Sequence, residues 1–375
     1  MKNLFFYGTL AHRPLLEVVL GRPLEAGQVQ DATLPHFASY WVKDQAHPML
    51  VAQKDAAAKG LYLTGLSAPD VARLDFYEGG FDYDLRPLTI TTATGSHEAE
   101  VYFPNDVPPR GDPWVLDGWA EKWGDYTVRA AIEVMGYFGQ ITAQELSQRF
   151  PAIRRRAASY IRGQAEAGKP SIATTHSRAD VAVANCRMAY SNFYAMQEFD
   201  IRYRKFNGEM GDLLERATFV GFDVAIVLPY DPVLDCVLLV EQFRIGPYAR
   251  GDGYPWSLEP VAGHIDVAET PEQAAIRECE EEAGLRLHEL EPIAAAYPSP
   301  GASSEFYYCY LGLCDLAGHN GTIAGLESES EDILSRILSF DALMDFVDTQ
   351  QATNQPLILT AYWLARNRDR LRRDA

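Results

Sequence analysis

Residues 263–285 constrain this chain more than any other stretch: they read GHIDVAETPEQAAIRECEEEAGL. Thr270, Pro271 and Gln273 supply an N-cap, a first-turn proline and a capping-box partner, so a helix starts there. Gly284 suits the left-handed position that closes a helix. On that helix Glu278, Glu281 and Glu282 stand at i, i+3 and i+4 and share one face. Carboxylates crowded in this way repel each other. A hard divalent cation removes the conflict, because Mg²⁺ prefers carboxylate oxygens, keeps some waters and bridges to substrate phosphates. Arg277 points elsewhere on the helix, toward Glu269, and that pair would hold the preceding loop in place. Most glutamate runs are only solvated helix faces. Here the fixed positions extend beyond the run, to Gly263, Glu269, Arg277 and Gly284, and a solvated face has no use for such spacing.

This pattern resembles the Nudix box, G-x5-E-x7-R-E-U-x-E-E-x-G-U with U apolar. Every fixed position matches, and Cys279 fills an apolar slot. The resemblance implies a C-terminal Nudix α/β/α sandwich. It also implies an enzyme that cleaves a nucleoside diphosphate linked to another moiety, using Mg²⁺ or Mn²⁺.

The whole chain sets broader bounds. Its 375 residues suggest two or three domains. A net charge of −19 excludes a general nucleic-acid binder, which must neutralise phosphates. Five cysteines, an odd number without a CxxC pair, fit a reducing cytosol, so a cytoplasmic location is expected. No apolar run reaches the length of a membrane helix, so no membrane partner is expected. The apolar start at Leu4-Phe5-Phe6 is broken by Tyr7-Gly8-Thr9 and reads as a buried strand, not a leader.

Residues 3–7 read as that strand, followed by Gly8-Thr9-Leu10 and a helix over 15–20. A strand at 60–63, a helix from Ser67 to Leu74 and strands at 85–91 and 98–103 follow. The segments YGTL and LDFYEG together resemble the γ-glutamylcyclotransferase-like (AIG2-like) family over about the first 110 residues, which implies a mixed β-barrel with helices. By that resemblance Glu78 is the general acid/base that moves a proton as the substrate's α-amine attacks its own γ-carbonyl and releases 5-oxoproline. Tyr7, Gly8, Thr9 and Leu10 hold the substrate's polar ends through their backbone. A lone glutamate in an apolar pocket suits the task, since desolvation raises its pKa toward working pH. A binding module without turnover is the competing reading for this domain.

Prolines 104, 108, 109 and 113 mark a boundary, giving domains at 1–112 and 191–375 with a helical bridge and linker at 113–190. Within the bridge, helices are expected at 127–138, 142–150 and 153–166, and Thr142 with Glu145 makes a capping box. Arg154-Arg155-Arg156 reads as a solvated face, residues 168–178 as a polar linker, and His176 as exposed and unpartnered. The bridge carries no chemistry in this reading. Packing on the first domain and a subunit contact both stay open.

In the last domain residues 198–206 and 216–220 read as strands around an Asn207-Gly208 hairpin, and 222–229 and 237–243 as buried strands. The stretches LPYDP (228–232), VEQFR (240–244), EPVAG (259–263), YPSPG (297–301) with Ser304-Glu305, and ESEDI (329–333) resemble the bacterial ADP-ribose pyrophosphatases over 195–370. Pro300, downstream of the box, is that branch's usual mark. The resemblance implies metal ligation by the Ala262 carbonyl, Glu278 and Glu282, with Glu331 in support and Glu281 catalytic beside them. It implies Glu329 as the base that activates water. Arg216, Arg244 and Glu305 then bind substrate, and Phe199 is an adenine platform in a homodimer. The expected reaction is hydrolysis of ADP-ribose to AMP and ribose 5-phosphate. The fusion of the two domains resembles tellurite-resistance Nudix proteins. Two readings compete: a nucleotide-sugar pyrophosphatase of the GDP-mannose type, and a non-catalytic ADP-ribose sensor. Sensor domains lose box glutamates, and all are present here.

Overall fold

A computed structural model describes residues 1–79, 83–104, 108–166, 176–325 and 331–373. It divides into two compact units, Met1–Thr175 and His176–Ala375. No helix among the described residues is long and apolar enough to cross a membrane. All five cysteines are free thiols.

The first unit begins with β1 (Lys2–Phe6), α1 (Arg13–Leu20), β2 (Val29–Val42), β3 (Pro48–Leu66) and α2 (Ala68–Glu78). β4 (Tyr83–Thr92), β5 (Gly95–Pro104), β6 (Arg110–Pro113), α3 (Leu116–Trp119), α4 (Asp125–Gly136) and α5 (Ala143–Glu166) follow. Strands pair in the order β3-β1-β5-β4-β2, and β2 pairs again with β3, which closes a five-stranded barrel; β6 adds to β2 outside the ring. Phe5, Leu34, Ile90 and Val101 fill one apolar cluster of this unit. Closure requires β3 to run tightly past β1: a Cβ on Gly60 would lie 2.2 Å from the Phe6 carbonyl oxygen. β2 carries no sequence expectation, because a proline and a bulge interrupt its alternation, with His36 at φ 65°.

Ser67 caps α2 through a reciprocal box with Asp70, and Thr142 bonds Glu145 as expected. The two helices expected at 142–150 and 153–166 are one, α5, which runs through Pro151. A proline inside a helix removes one hydrogen bond and clashes one turn back. The buried face of Leu146, Ala152, Ile153 and Arg156 continues across it, so packing outweighs that cost. Arg156 also corrects the solvated-face reading: it is 4% exposed and pairs with Glu133 of α4 at 2.6 Å.

The second unit opens with a three-stranded sheet, β7 (Val181–Ser191), β8 (Ala195–Tyr203) and β9 (Leu214–Val220). Residues 181–190, which the sequence places with the bridge, are therefore strand. His176 is half-buried and its ring meets Phe206 edge-on at 5.1 Å, so it is not the unpartnered residue expected. Next come β10 (Asp223–Asp231), β11 (Cys236–Phe243), α6 (Ile245–Arg250), β12 (Trp256–Glu259), β13 (Val261–His264) and α7 (Pro271–Ala283). The unit ends with β14 (Glu289–Ala296), β15 (Phe306–Leu313), β16 (Ile323–Ala324), β17 (Ile333–Ser339), α8 (Phe340–Asp348) and α9 (Gln355–Arg373). The large sheet is mixed, in the order β14-β15-β10-β11-β17-β16, with β12 on β11 and β13 on β10.

Alternate residues of β10 and β11 feed opposite faces. Val227, Leu238 and Val240 pack with Ala274, Ala275 and Cys279 of α7. Leu228, Val237 and Leu239 pack with Leu343 of α8 and Leu357 and Leu364 of α9. The result is the α/β/α sandwich expected, with α7 pressed on one face of the sheet.

Candidate active site

Thr270 Oγ1 accepts a hydrogen bond from Gln273 N–H, Gln273 Oε1 accepts one from Thr270 N–H, and Gly284 takes φ 63° at the C-terminus. α7 is thus fixed at both ends by the residues that announce it. Its inner face meets β13. Glu282 is 2% exposed and accepts a hydrogen bond from Ala262 N–H at 3.1 Å. Glu278 lies so close to Gly263 that a Cβ there would sit 1.9 Å from its carboxyl carbon. Burial pushes Glu278 up to about 7 and Glu282 up to about 8. Glu331 adds its repulsion to both.

Arg277 corrects one expectation. Its guanidinium holds Glu269 with two bonds of 2.9 Å, as expected, but it does not point away from the carboxylates. It also reaches Glu278 at 2.6 Å, Glu281 at 2.9 Å and the His264 carbonyl at 3.0 Å. A planar fork with five donors can serve several acceptors at once, and Glu281 lies one turn further along the same helix.

The other expected residues separate into groups. Arg244 donates to the buried Glu259 through Nε and Nη2, at 2.8 Å for the latter, and its charge is felt by Glu282. Glu305, raised by burial, accepts from Ser303 Oγ at 3.1 Å, and a Cβ on Gly221 would sit 2.3 Å from its Cγ. Tyr194 and Tyr307 interact electrostatically with both Arg244 and Glu305, so these four line one region. Sequence reasoning missed Tyr194, Tyr307 and Glu259. The stretch EPVAG contains Glu259, while neither tyrosine falls in a motif. Phe199 and Arg216 face each other across the β8–β9 register. Among the described residues no hydrogen bond or ion pair joins them to the α7 carboxylates. Glu329 lies outside the described residues.

The first unit holds a separate pocket. Tyr7, Gly8, Thr9 and Leu10 line it together with Glu78, so the structure brings the two motifs of that domain to one place. Glu78 keeps some accessible surface because it lines the cavity, while the surrounding protein pushes its carboxyl up to about 7. Tyr77, Tyr102 and His47 share the wall. Burial and the neighbouring Glu78 raise Tyr77, and burial keeps His47 below its ordinary value. Trp119, Thr127, Phe150 and Arg154 line the pocket too. All four come from the stretch the sequence reads as a bridge without chemistry, and Arg154 from a triplet read as solvated.

Comparison with known proteins finds a relative family for each unit. The NUDIX domain family model matches residues 221–359. The ADP-ribose pyrophosphatase of Escherichia coli (strain K12) is 34% identical over 194 residues, spanning 52% of this chain and 92% of its own. The chain belongs to the Nudix family. A second relative of this Nudix hydrolase, the ADP-ribose pyrophosphatase of Haemophilus influenzae, is 30% identical over 193 residues, 51% of this chain and 88% of its own. The GDP-mannose pyrophosphatase of Enterobacter sp. is 24% identical over 183 residues, 48% of this chain and 94% of its own. Ahead of the Nudix domain, the family model for gamma-glutamyl cyclotransferase, AIG2-like, matches residues 4–123.

Nudix ADP-ribose pyrophosphatases use divalent metal ions. Among the described residues no group of three or more His, Cys, Asp or Glu side chains is gathered to hold one. The reason is visible in the bonding: Glu278 and Glu281 turn to Arg277, and Glu282 to Ala262 N–H. Glu278 and Glu282 remain hard oxygen donors on one helix face, the first half-buried and the second buried, and both are held above the ordinary carboxylate range. A divalent cation relieves that strain, and it needs few protein ligands because Mg²⁺ keeps waters and takes substrate oxygens. The donor set fits such an ion.

Proposed function

We propose that the second unit hydrolyses ADP-ribose to AMP and ribose 5-phosphate with Mg²⁺, which Mn²⁺ can replace. The observation that carries this reading is the pair of Glu278, half-buried, and Glu282, buried, packed against Gly263 and Ala262. Glu278, Glu282 and the Ala262 carbonyl would hold the ion, with Glu331 in support. Bound there, the ion supplies charge neutralisation for the diphosphate and makes water more acidic. Arg277 keeps the carboxylates in place from behind. Glu281, with its side chain 30% exposed, is the most open of the three and accepts a hydrogen bond from the attacking water. Glu329 takes the water's proton. Arg244 and Glu305 position the substrate, and Arg244 can offer its exposed edge to phosphate while Glu259 holds the other.

The greater likeness to ADP-ribose pyrophosphatases, 34% against 24% for a GDP-mannose pyrophosphatase, favours ADP-ribose over a nucleotide sugar. Direct competition between the two substrates tests this. A higher kcat/KM for GDP-mannose would transfer the reading to the sugar nucleotide. The protein is further read as a cytoplasmic homodimer in which Phe199 and Arg216 serve the partner copy's site. If so, mixing Arg216→Ala with Glu282→Gln, each inactive alone, recovers activity in mixed dimers.

The pocket of the first unit supports a second activity. There Glu78 would move a proton on an amine-bearing substrate, as in the γ-glutamylcyclotransferase-like family, while Tyr7–Leu10 hold its polar ends. The likeness of the fusion to tellurite-resistance Nudix proteins adds no chemistry to either site.

A further inference from the structure

We propose that Gln242, on β11, binds the diphosphate of the substrate, its side-chain amide donating a hydrogen bond to a phosphate oxygen beside Arg244. The inference rests on the reading of the second unit as a hydrolase of a nucleoside diphosphate and adds a residue to that site. Gln242 lies outside the box, and neither a carboxylate nor a guanidinium marks it in the sequence.

Strand register places Gln242 on the face of the sheet that α7 covers. On β11 that face is set by Leu238 and Val240, which pack with Ala274, Ala275 and Cys279. Side chains alternate along a strand, so Gln242 continues the face and Arg244 follows it. Val240 stands in one cross-strand row between Glu259 of β12 and Ser335 of β17. Gln242 fills the next row, opposite Ser257. It therefore lies between the row of Glu259 and the Arg244 that Glu259 holds, and the charge of Glu282 is felt by that arginine.

Hydrogen bonding around this residue is out of balance. Gln242 is 7% exposed, and its Nε2 is buried with no acceptor among the described residues. The neighbouring acceptors are committed elsewhere. Glu259 takes Arg244 Nε and Nη2 on its carboxylate, and Glu282 turns an oxygen to Ala262 N–H. A buried donor left unpaired is unfavourable. The imbalance is relieved by a ligand that brings acceptors and no donors, and the ionised oxygens of a diphosphate are such acceptors. Arg244 offers its exposed edge to the same group. A neutral amide suits the buried place beside it, where a second cation would be repelled and would lose its hydration. Ser335 is the contrasting case. Its Oγ is also buried and unpaired, but the residue is 0% exposed and one row further from Arg244, sealed between sheet and helix.

A ligand contact and a structural part predict opposite changes here. The probe is α,β-methylene-ADP, a diphosphate that cannot be cleaved at its bridge. Its binding to the full chain with Mg²⁺ is measured by calorimetry for the wild type, Gln242→Leu, Ser335→Ala and Arg244→Ala, and each protein is also unfolded by heat without ligand. Leucine has nearly the volume of glutamine and removes the unpaired donor. Gln242→Leu should therefore unfold at the wild-type temperature or above, yet bind the probe about tenfold or more weaker. On ADP-ribose it should raise KM and leave kcat little changed, the signature of lost binding. Ser335→Ala should keep the wild-type affinity. Unchanged affinity in Gln242→Leu, where Arg244→Ala does weaken binding, overturns the role of Gln242 and leaves the hydrolase reading standing. A Gln242→Leu protein that unfolds at a lower temperature, or a Ser335→Ala protein that loses as much affinity, makes the amide a support of the sheet and overturns the role as well. A folded wild type that does not bind the probe with Mg²⁺ overturns the reading of the site together with it.

Discussion

Arg277 joins the groups that would otherwise push each other apart. Its contacts to Glu269, Glu278, Glu281 and the His264 carbonyl make one charge serve the loop, the helix and the strand. Removing it leaves partly buried carboxylates uncompensated, so Arg277→Ala should cost about 3 kcal/mol of stability in the second unit, read by denaturant unfolding. Gly263 is equally constrained. Gly263→Ala forces a methyl into the Glu278 carboxylate and should lower kcat on ADP-ribose about a hundredfold or more, with KM little changed. Normal turnover by that variant would show that Glu278 is not needed where the structure puts it. Glu78 makes a prediction in pH. Its folded carboxyl is raised to about 7, above the ordinary 4.5 of an unfolded chain. Below the unfolded value the group is protonated in both states, and its contribution to stability is fully present. As pH rises through about 7 the unfolded state ionises more readily and that contribution is lost. Glu78→Gln should therefore unfold several degrees higher than wild type at about pH 8 and at the same temperature at about pH 4. Equal unfolding temperatures at both pH values would contradict the burial of a carboxylate there.

At the level of elements, local chemistry and tertiary packing divide the explanation. α7 was legible to the residue, because Thr270, Pro271, Gln273 and Gly284 are all local signals that need no partner. The strand β1, the cap of α2 and the Asn207-Gly208 turn were legible for the same reason. β2 was not, since its pairing with β3, β4 and β6 is long-range and a bulge spoils its period. α5 was misread because proline is a local stop signal that a buried face overrode. Arg154 and Arg156 were misread with it: a triplet of arginines looks solvated until its partners, Glu133, Trp123 and the pocket, come from elsewhere in the chain. The Arg156–Glu133 pair gives a test of that packing. Arg156→Ala strands Glu133 and should destabilise the first unit by about 3 kcal/mol, whereas Thr270→Ala in the second should cost about 1 kcal/mol. Similar small losses for both would mean that the α4–α5 contact does not depend on this pair.

For the molecule as a whole, the two units keep their own cores, and each matches its own family model. The box glutamates and the YGTL and LDFYEG segments were readable because they are contiguous motifs. Tyr194, Tyr307 and Glu259 became visible only once the sheet and the three-stranded arm had gathered them around Arg244. The most direct test of the account is product analysis with ADP-ribose and Mg²⁺, comparing the wild type with Glu282→Gln. The account predicts AMP and ribose 5-phosphate from the wild type and at least a hundredfold less from the variant, since the buried carboxylate on Ala262 is central to the site. Equal turnover by Glu282→Gln, or no turnover by folded wild type with Mg²⁺ supplied, would contradict it.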